Sequence, residues 1–156
     1  MPHLHLSLCP AAGHEPDLRQ LAVLLTDLTA LHLSKDPLLT AVRFSLLPAT
    51  HWFIGARSLA ADTRASYQLE IQVTAGTNSE AQIADFLAGV HQAMEAALGP
   101  VHPTSYTVVQ QVPAHAWGYG GRSQAERRLQ SQAQRPSPAE DISGPVLRRV
   151  RQGARS

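Results

Sequence analysis

The sequence predicts an α/β (α+β) fold of two tandem β-α-β units, whose four strands form one sheet with two helices on one face. Three observations carry that reading. His3-Leu4-His5-Leu6-Ser7-Leu8 and Tyr67-Gln68-Leu69-Glu70-Ile71-Gln72-Val73 alternate polar with apolar residues, the signature of strands with one buried face. Each is followed by a turn, an amphipathic helical pattern and a second strand-like run, and the two series are offset by roughly 64 residues. With 156 residues, 44% of them hydrophobic and 16% charged, the chain can bury a sizeable core, an oligomer interface, or both.

The elements follow in order. Cys9 through His14 reads as a loop, and Glu15-Pro16-Asp17 as a helix start with proline and acids in the first turn. That helix runs to about Leu33 on Leu18, Leu21, Ala22, Leu25 and Leu28, with Val23, Leu24 and Leu31 widening the stripe until much of the helix is covered. Asp36-Pro37 ends the segment, Ala41–Leu47 is a strand, and Trp52-Phe53-Ile54-Gly55 is an aromatic edge segment or hairpin arm. In the second unit Thr77-Asn78-Ser79-Glu80 offers a capping box with Glu80 reaching back to the cap. Ile83, Phe86, Leu87, Val90, Met94, Ala97 and Leu98 mark one helix face, which Gly99-Pro100 stops. Ser105–Gln111 is the fourth strand, and Trp117-Gly118-Tyr119-Gly120-Gly121 a second aromatic-glycine hairpin.

Each β-α-β crossover is right-handed and sets its two strands parallel. Both helices on one face leave the other face bare. A bare apolar face needs a cover, and symmetric oligomerisation supplies one.

Charge divides the chain. Residues 1–121 hold five Lys/Arg against nine Asp/Glu, a net −4, whereas residues 122–156 hold eight Arg against three acids, a net +5. The first part reads as a folded domain with unit one at 1–58, a connector at 59–65 and unit two at 66–121. Residues 122–156 read as a basic, partly disordered tail, with a short polar helix over 122–134, a break at Arg135-Pro136-Ser137-Pro138 and a basic, partly apolar run at Val146–Arg151. The single Cys9 excludes an intrachain disulfide and points to a reducing compartment. With no leader-like or membrane-length apolar run, the chain reads as soluble and cytoplasmic, with no membrane partner.

The chemistry starts at Met1-Pro2. A methionine before proline is a good substrate for trimming, because the second residue is small. Trimming leaves a prolyl secondary amine joined directly to a strand. An amine held partly out of water, or close to other cations, loses proton affinity and can serve as a general base near neutral pH. An ordinary strand end would tolerate the same proline.

The Met-Pro start running into a strand, the duplicated β-α-β unit and the aromatic-glycine hairpins resemble the tautomerase superfamily. Pro2-His3-Leu4 through Leu39-Thr40-Ala41-Val42-Arg43 is similar to 4-oxalocrotonate tautomerase. Val73–Glu80, with the Pro2-His3 start, is similar to 5-carboxymethyl-2-hydroxymuconate isomerase. The likeness covers residues 2–121.

The resemblance implies a homotrimer of two-unit subunits, no cofactor and no metal, and a site around each Pro2. Its reaction would move a proton in a small 2-oxo or 2-hydroxy unsaturated carboxylate. Carried over, Pro2 is the base, Arg43 the second-strand arginine that steadies developing enolate charge, and Trp117, or Trp52, the aromatic wall. The sequence departs from the pattern at two arginine places. Thr77 stands where a loop arginine belongs, and Tyr106 where the second unit's strand arginine belongs. A threonine hydroxyl cannot reproduce a bidentate guanidinium, so Arg57 and Arg122 are candidate replacements. The resemblance also brings dehalogenases and hydratases, which need a water-activating acid. No acid here stands at a matching place, so those activities rank lower.

Other residues carry less. His3 and His5 share a strand face but lack a third ligand at metal spacing, and read as a solvated or interface pair. Cys9 reads as a small buried residue. Tyr106 and Tyr119 are pocket donors or ordinary sheet aromatics. The glycines at 118–121 lack a phosphate-loop signature. Two alternatives stand beside the enzyme. One is a non-catalytic protein of the same fold whose basic tail binds a partner, with nucleic acid reachable only through that tail. The other is a ferredoxin-like binding module.

Overall fold

The structure, a computed structural model, describes residues 1–134. The expected break at Arg135–Pro138 and the basic run at Val146–Arg151 lie outside the described residues. The chain forms β1 (His3–Cys9), α1 (Leu18–Leu33), β2 (Ala41–Leu46) and the short hairpin arms β3 (Phe53–Ile54) and β4 (Arg57–Ser58). It then repeats the order with β5 (Ser66–Thr74), α2 (Glu80–Leu98), β6 (Tyr106–Val112), β7 (Gly118–Tyr119) and β8 (Arg122–Ser123), and adds α3 (Gln124–Ala133). The second hairpin thus closes at Ser123 and α3 follows at once. No helix among the described residues is long and apolar enough to cross a membrane.

The main sheet has the order β2-β1-β5-β6. Both outer pairs are parallel and the central pair is antiparallel. In a ferredoxin-like split β-α-β unit another strand separates the two. Here each unit's strands pair directly, which removes that alternative. The central register sets His3 beside Gln72 and Cys9 beside Ser66. The starts of β1 and β2 and the ends of β5 and β6 therefore share one end of the sheet, called here the amine end.

Leu4, Leu6 and Leu8 of β1 and Leu69, Ile71 and Val73 of β5 are fully buried against Leu21, Leu25 and Leu33 of α1 and Phe86, Val90 and Met94 of α2. Burying side chains of this size is worth about 1.5–3 kcal/mol each. Thr29 lies inside this layer and satisfies its hydroxyl by donating to the Leu25 carbonyl at 2.6 Å. The wide α1 stripe does not translate into a covered helix. Val23 and Leu31 are 56% and 73% exposed, because two helices on one sheet bury only one face of each. The expected capping box also moves. Ser79 caps α2 and Gln82 reaches back to it, while Thr77 donates instead to the Thr74 carbonyl at 2.6 Å.

The face away from the helices is polar across its middle, contrary to expectation, and its β6 edge exposes Tyr106 and Val108. The β1–β2 and β1–β5 registers line up His3, His5, Arg43, Ser45, Glu70 and Gln72 across its middle, joined by contacts such as His3 Nδ1 to Gln72 Oε1 at 3.2 Å. Alternation fixes the face but not its character: in β1 and β5 the outward residues are polar.

The two hairpins share one device. Gly55 and Ala56 in the first turn, and Gly120 and Gly121 in the second, have φ between 57° and 73°. A two-residue type I′ turn requires this left-handed backbone at both positions. Ala56 holds it with a Cβ, which costs about 1 kcal/mol. Ala56→Gly is expected to raise the midpoint of thermal unfolding, and an unchanged or lower midpoint would contradict the turn assignment. Gly118 is constrained by space, since a Cβ there would fall on the Arg122 carbonyl oxygen. Gly118→Ala is expected to cost about 1–3 kcal/mol and to speed limited proteolysis at the second hairpin. Wild-type resistance in that variant would show the hairpin is not packed this way.

Candidate functional site

The amine end brings together residues far apart in sequence. In each parallel crossover the helix returns to the end where its strands begin, so α1 delivers Ser34-Lys35-Asp36 beside the start of β1. The Pro2 carbonyl accepts from Ala41 N–H at 3.3 Å and fixes the chain start against β2. Pro2 is buried. The amine in this structure belongs to Met1 and stands in for the one Pro2 would bear a residue along. Its proton affinity is lowered, chiefly by burial and next by the Lys35 charge, with Asp36 opposing.

Lys35 itself is held below the usual lysine range by burial and by the Arg128 charge. Its Nζ donates to Thr77 Oγ1 at 2.8 Å. Asn78 Nδ2 donates to the Leu33 carbonyl at 2.9 Å, tying the end of α1 to the loop before α2. The α2 N-terminus, with its partial positive charge, opens at the same end. The result is a cationic, half-desolvated setting suited to a carboxylate.

Lys35 thus stands beside Thr77, where the sequence offers Arg57 and Arg122 as candidates. Neither arginine reaches it. Arg57 pairs with Ile54 in the first hairpin, and Arg122 Nη1 donates to Gln130 Oε1 at 3.2 Å. A lone lysine has no spacing signature. The signal available was topological, since a crossover helix must end beside the start of its own strands.

The other expected site residues divide among three places. Trp117 follows β6 off the amine end and lines a cavity of about 310 Å³ with His115, Tyr119 and Arg122. Its Nε1 is buried and has no partner among the described residues. Trp52 and Tyr106 meet at the opposite end of the sheet, in a cavity of about 370 Å³ with Phe53 and Gln68, and Arg57 lies in that same hairpin. The length of β1 sets these ends about 20 Å apart.

Arg43 sits mid-strand on the open face, beside His5 in register. Its Nη2 lies 3.1 Å from His5 Nδ1, and His5 Nε2 lies 2.8 Å from Ser45 Oγ. A guanidinium only donates, so Nδ1 accepts and Nε2 carries the proton. Pro2 continues the alternation of Leu4 toward the helices, whereas Arg43 points to the open face. Among the described residues the side-chain hydrogen bond of Arg43 goes to His5, not to Pro2.

Cys9 is buried and its thiol is pushed up by that burial, against nucleophilic use. Among the described residues no group of His, Cys, Asp and Glu is arranged to hold a metal ion.

No protein-family model and no curated protein matches the chain. Solved structures do. The chain is similar to native fused 4-OT, 24% identical with a TM-score of 0.66 over 78% of this chain and 97% of that one. It is similar to Pt0534 inactivated by 2-oxo-3-pentynoate, 15% identical with a TM-score of 0.69 over 80% and 98%. It is also similar to F6 fused 4-OT, a wild-type asymmetric trimer, 20% identical with a TM-score of 0.63 over 79% and 98%. Identity this low with overlap this broad speaks to architecture. The chain has the tautomerase fold.

Proposed function

We propose that this chain is a cytoplasmic tautomerase that moves a proton in small 2-oxo or 2-hydroxy unsaturated carboxylic acids. Removal of Met1 frees the Pro2 amine, which takes a proton from the enol oxygen or an acidic carbon and returns it two atoms along the conjugated system. The observation that carries this reading is the chain start: the Met1 amine, one residue ahead of Pro2, loses proton affinity to burial and to the Lys35 charge. Both effects disfavour the ammonium form, which keeps the base unprotonated nearer neutral pH. Lys35 and Thr77 hold the substrate carboxylate.

Arg43 stabilises the negative charge that develops on the enolate oxygen, where a positioned cation contributes most. Since Pro2 and Arg43 lie on opposite sides of their own sheet, Arg43 serves the Pro2 of a neighbouring subunit. A homotrimer built on the open, polar sheet face makes that exchange possible. Trp117 forms the apolar wall of the amine's pocket.

The experiment is ketonisation of phenylenolpyruvate by full-length protein whose N-terminus has been verified as Pro2 by mass spectrometry. Turnover that saturates with substrate is expected. Absence of turnover by verified protein would turn the reading to the non-catalytic alternative.

A further inference from the structure

A second cavity lies between the β7–β8 hairpin and α3. It is an open cavity of about 400 Å³ lined by Tyr119, Gln124, Arg127, Arg128, Ser131 and Gln132. The proton transfer proposed above uses none of these residues. The Arg127 guanidinium is fixed from two sides. Its carbon sits 3.7 Å from the Tyr119 ring centroid, and Nη2 donates to the Tyr119 carbonyl at 2.8 Å. Its Nε–H is nevertheless buried with no partner among the described residues, and so is Gln124 Nε2. Leaving two buried donors unmet costs free energy, and both belong to side chains lining one cavity.

Glu126 acts on the Arg127 charge, but its carboxylate oxygen is bonded elsewhere. Glu126 Oε2 accepts from Ser123 N–H at 2.7 Å and from Ser123 Oγ at 3.0 Å, which directs its charge to capping α3. Arg128 adds a second positive charge at the rim, close enough to act on Lys35.

We propose that this cavity is a binding site for a small organic carboxylate, held by the Arg127 and Gln124 side chains that line it, with Arg128 as its long-range charge. Stacking on Tyr119 holds the guanidinium ready, so little side-chain entropy is lost on binding. The planar amide and guanidinium suit a planar carboxylate, and the cavity volume leaves room for an organic body attached to it. The site stands on α3 and the second hairpin, after β6, and uses none of the residues of the Pro2 chemistry.

The test follows the arginine Nε–Hε resonances of full-length, isotope-labelled protein during titration with benzoate, with chloride as control and inorganic phosphate as competitor. Saturable movement of the Arg127 resonance by benzoate, and not by chloride, is expected. Arg127→Lys should weaken binding about tenfold or more, because an ammonium cannot replace the stacked fork. Gln124→Met should weaken it severalfold while preserving the Arg127–Tyr119 stack, and so separates loss of a donor from loosening of α3. Linear shifts shared by benzoate and chloride would overturn the site. Unchanged affinity in both variants would do the same. Phosphate binding tighter than benzoate would overturn the carboxylate assignment. None of these readings requires turnover, so they stand apart from the outcome of the ketonisation assay.

Discussion

Replacing Pro2 by alanine is expected to lower kcat/KM for enol ketonisation by about 100-fold or more, within the range that general-base catalysis contributes. The size of the effect follows from how much the account asks of one atom. His3 also stands at the amine end, but on the open face, with its Nδ1 3.2 Å from Gln72 Oε1. Lys35 is tied to Thr77, and Asp36 Oδ1 accepts from Leu38 N–H at 2.9 Å, capping the turn that leads into β2. Alanine also leaves a small second residue, so Met1 trimming is preserved and the substitution changes the amine rather than its exposure. Mass spectrometry of both N-termini must accompany the rates. Equal kcat/KM for two correctly trimmed proteins would remove Pro2 as the base.

The second large effect is at Lys35. Lys35→Met keeps the apolar stem and removes the charge, with two separable consequences. Loss of a charge-assisted contact to the carboxylate is worth about 1.5–3 kcal/mol, or roughly 10- to 100-fold in kcat/KM. The pH profile also moves. The lysine charge lowers the proton affinity of the Met1 amine; the same field at the Pro2 amine predicts that its removal raises that affinity and shifts the acidic limb of kcat/KM to higher pH. Asp36 acts in the opposite sense, and Asp36→Asn should shift the same limb to lower pH. Opposite displacements by adjacent residues are hard to obtain from general loosening of the loop. Limbs that stay in place in both variants would show that the group titrating in kcat/KM is not at this end of the sheet.

Much of the fold was legible because its signals are local. The alternation of residues 3–8 and 67–73 names which side chains enter the core, and Leu4, Leu6, Leu8, Leu69, Ile71 and Val73 are all buried as that pattern requires. Phe86, Val90, Met94 and Leu98 likewise follow from helical spacing. The local pattern and the structure part where tertiary partners decide. Thr77 and Ser79 are both able to cap a helix, and the choice fell to Ser79 because the Thr77 hydroxyl is engaged with Thr74 and Lys35. Val23 and Leu31 look like core in one dimension and face outward in three. The middle of the open sheet face is polar because the outward residues of β1 and β5 are polar, while its β6 edge carries Tyr106 and Val108.

The candidate site was the hardest part to read, for the same reason. Trp52, Tyr106 and Arg57 group at one end of the sheet and Pro2, Lys35 and Thr77 at the other. A list of plausible side chains holds no information about which end each belongs to. The Lys35–Thr77 contact spans 42 positions, and only the strand register makes it foreseeable.

The measurement that bears most directly on the account is a pH titration of the Pro2 amine by nitrogen NMR, on protein labelled at proline and verified to lack Met1. The account predicts an amine with clearly less proton affinity than an ordinary N-terminal proline, moving upward in Lys35→Met. An amine that titrates as it would in an unstructured peptide, unaffected by Lys35, would contradict it.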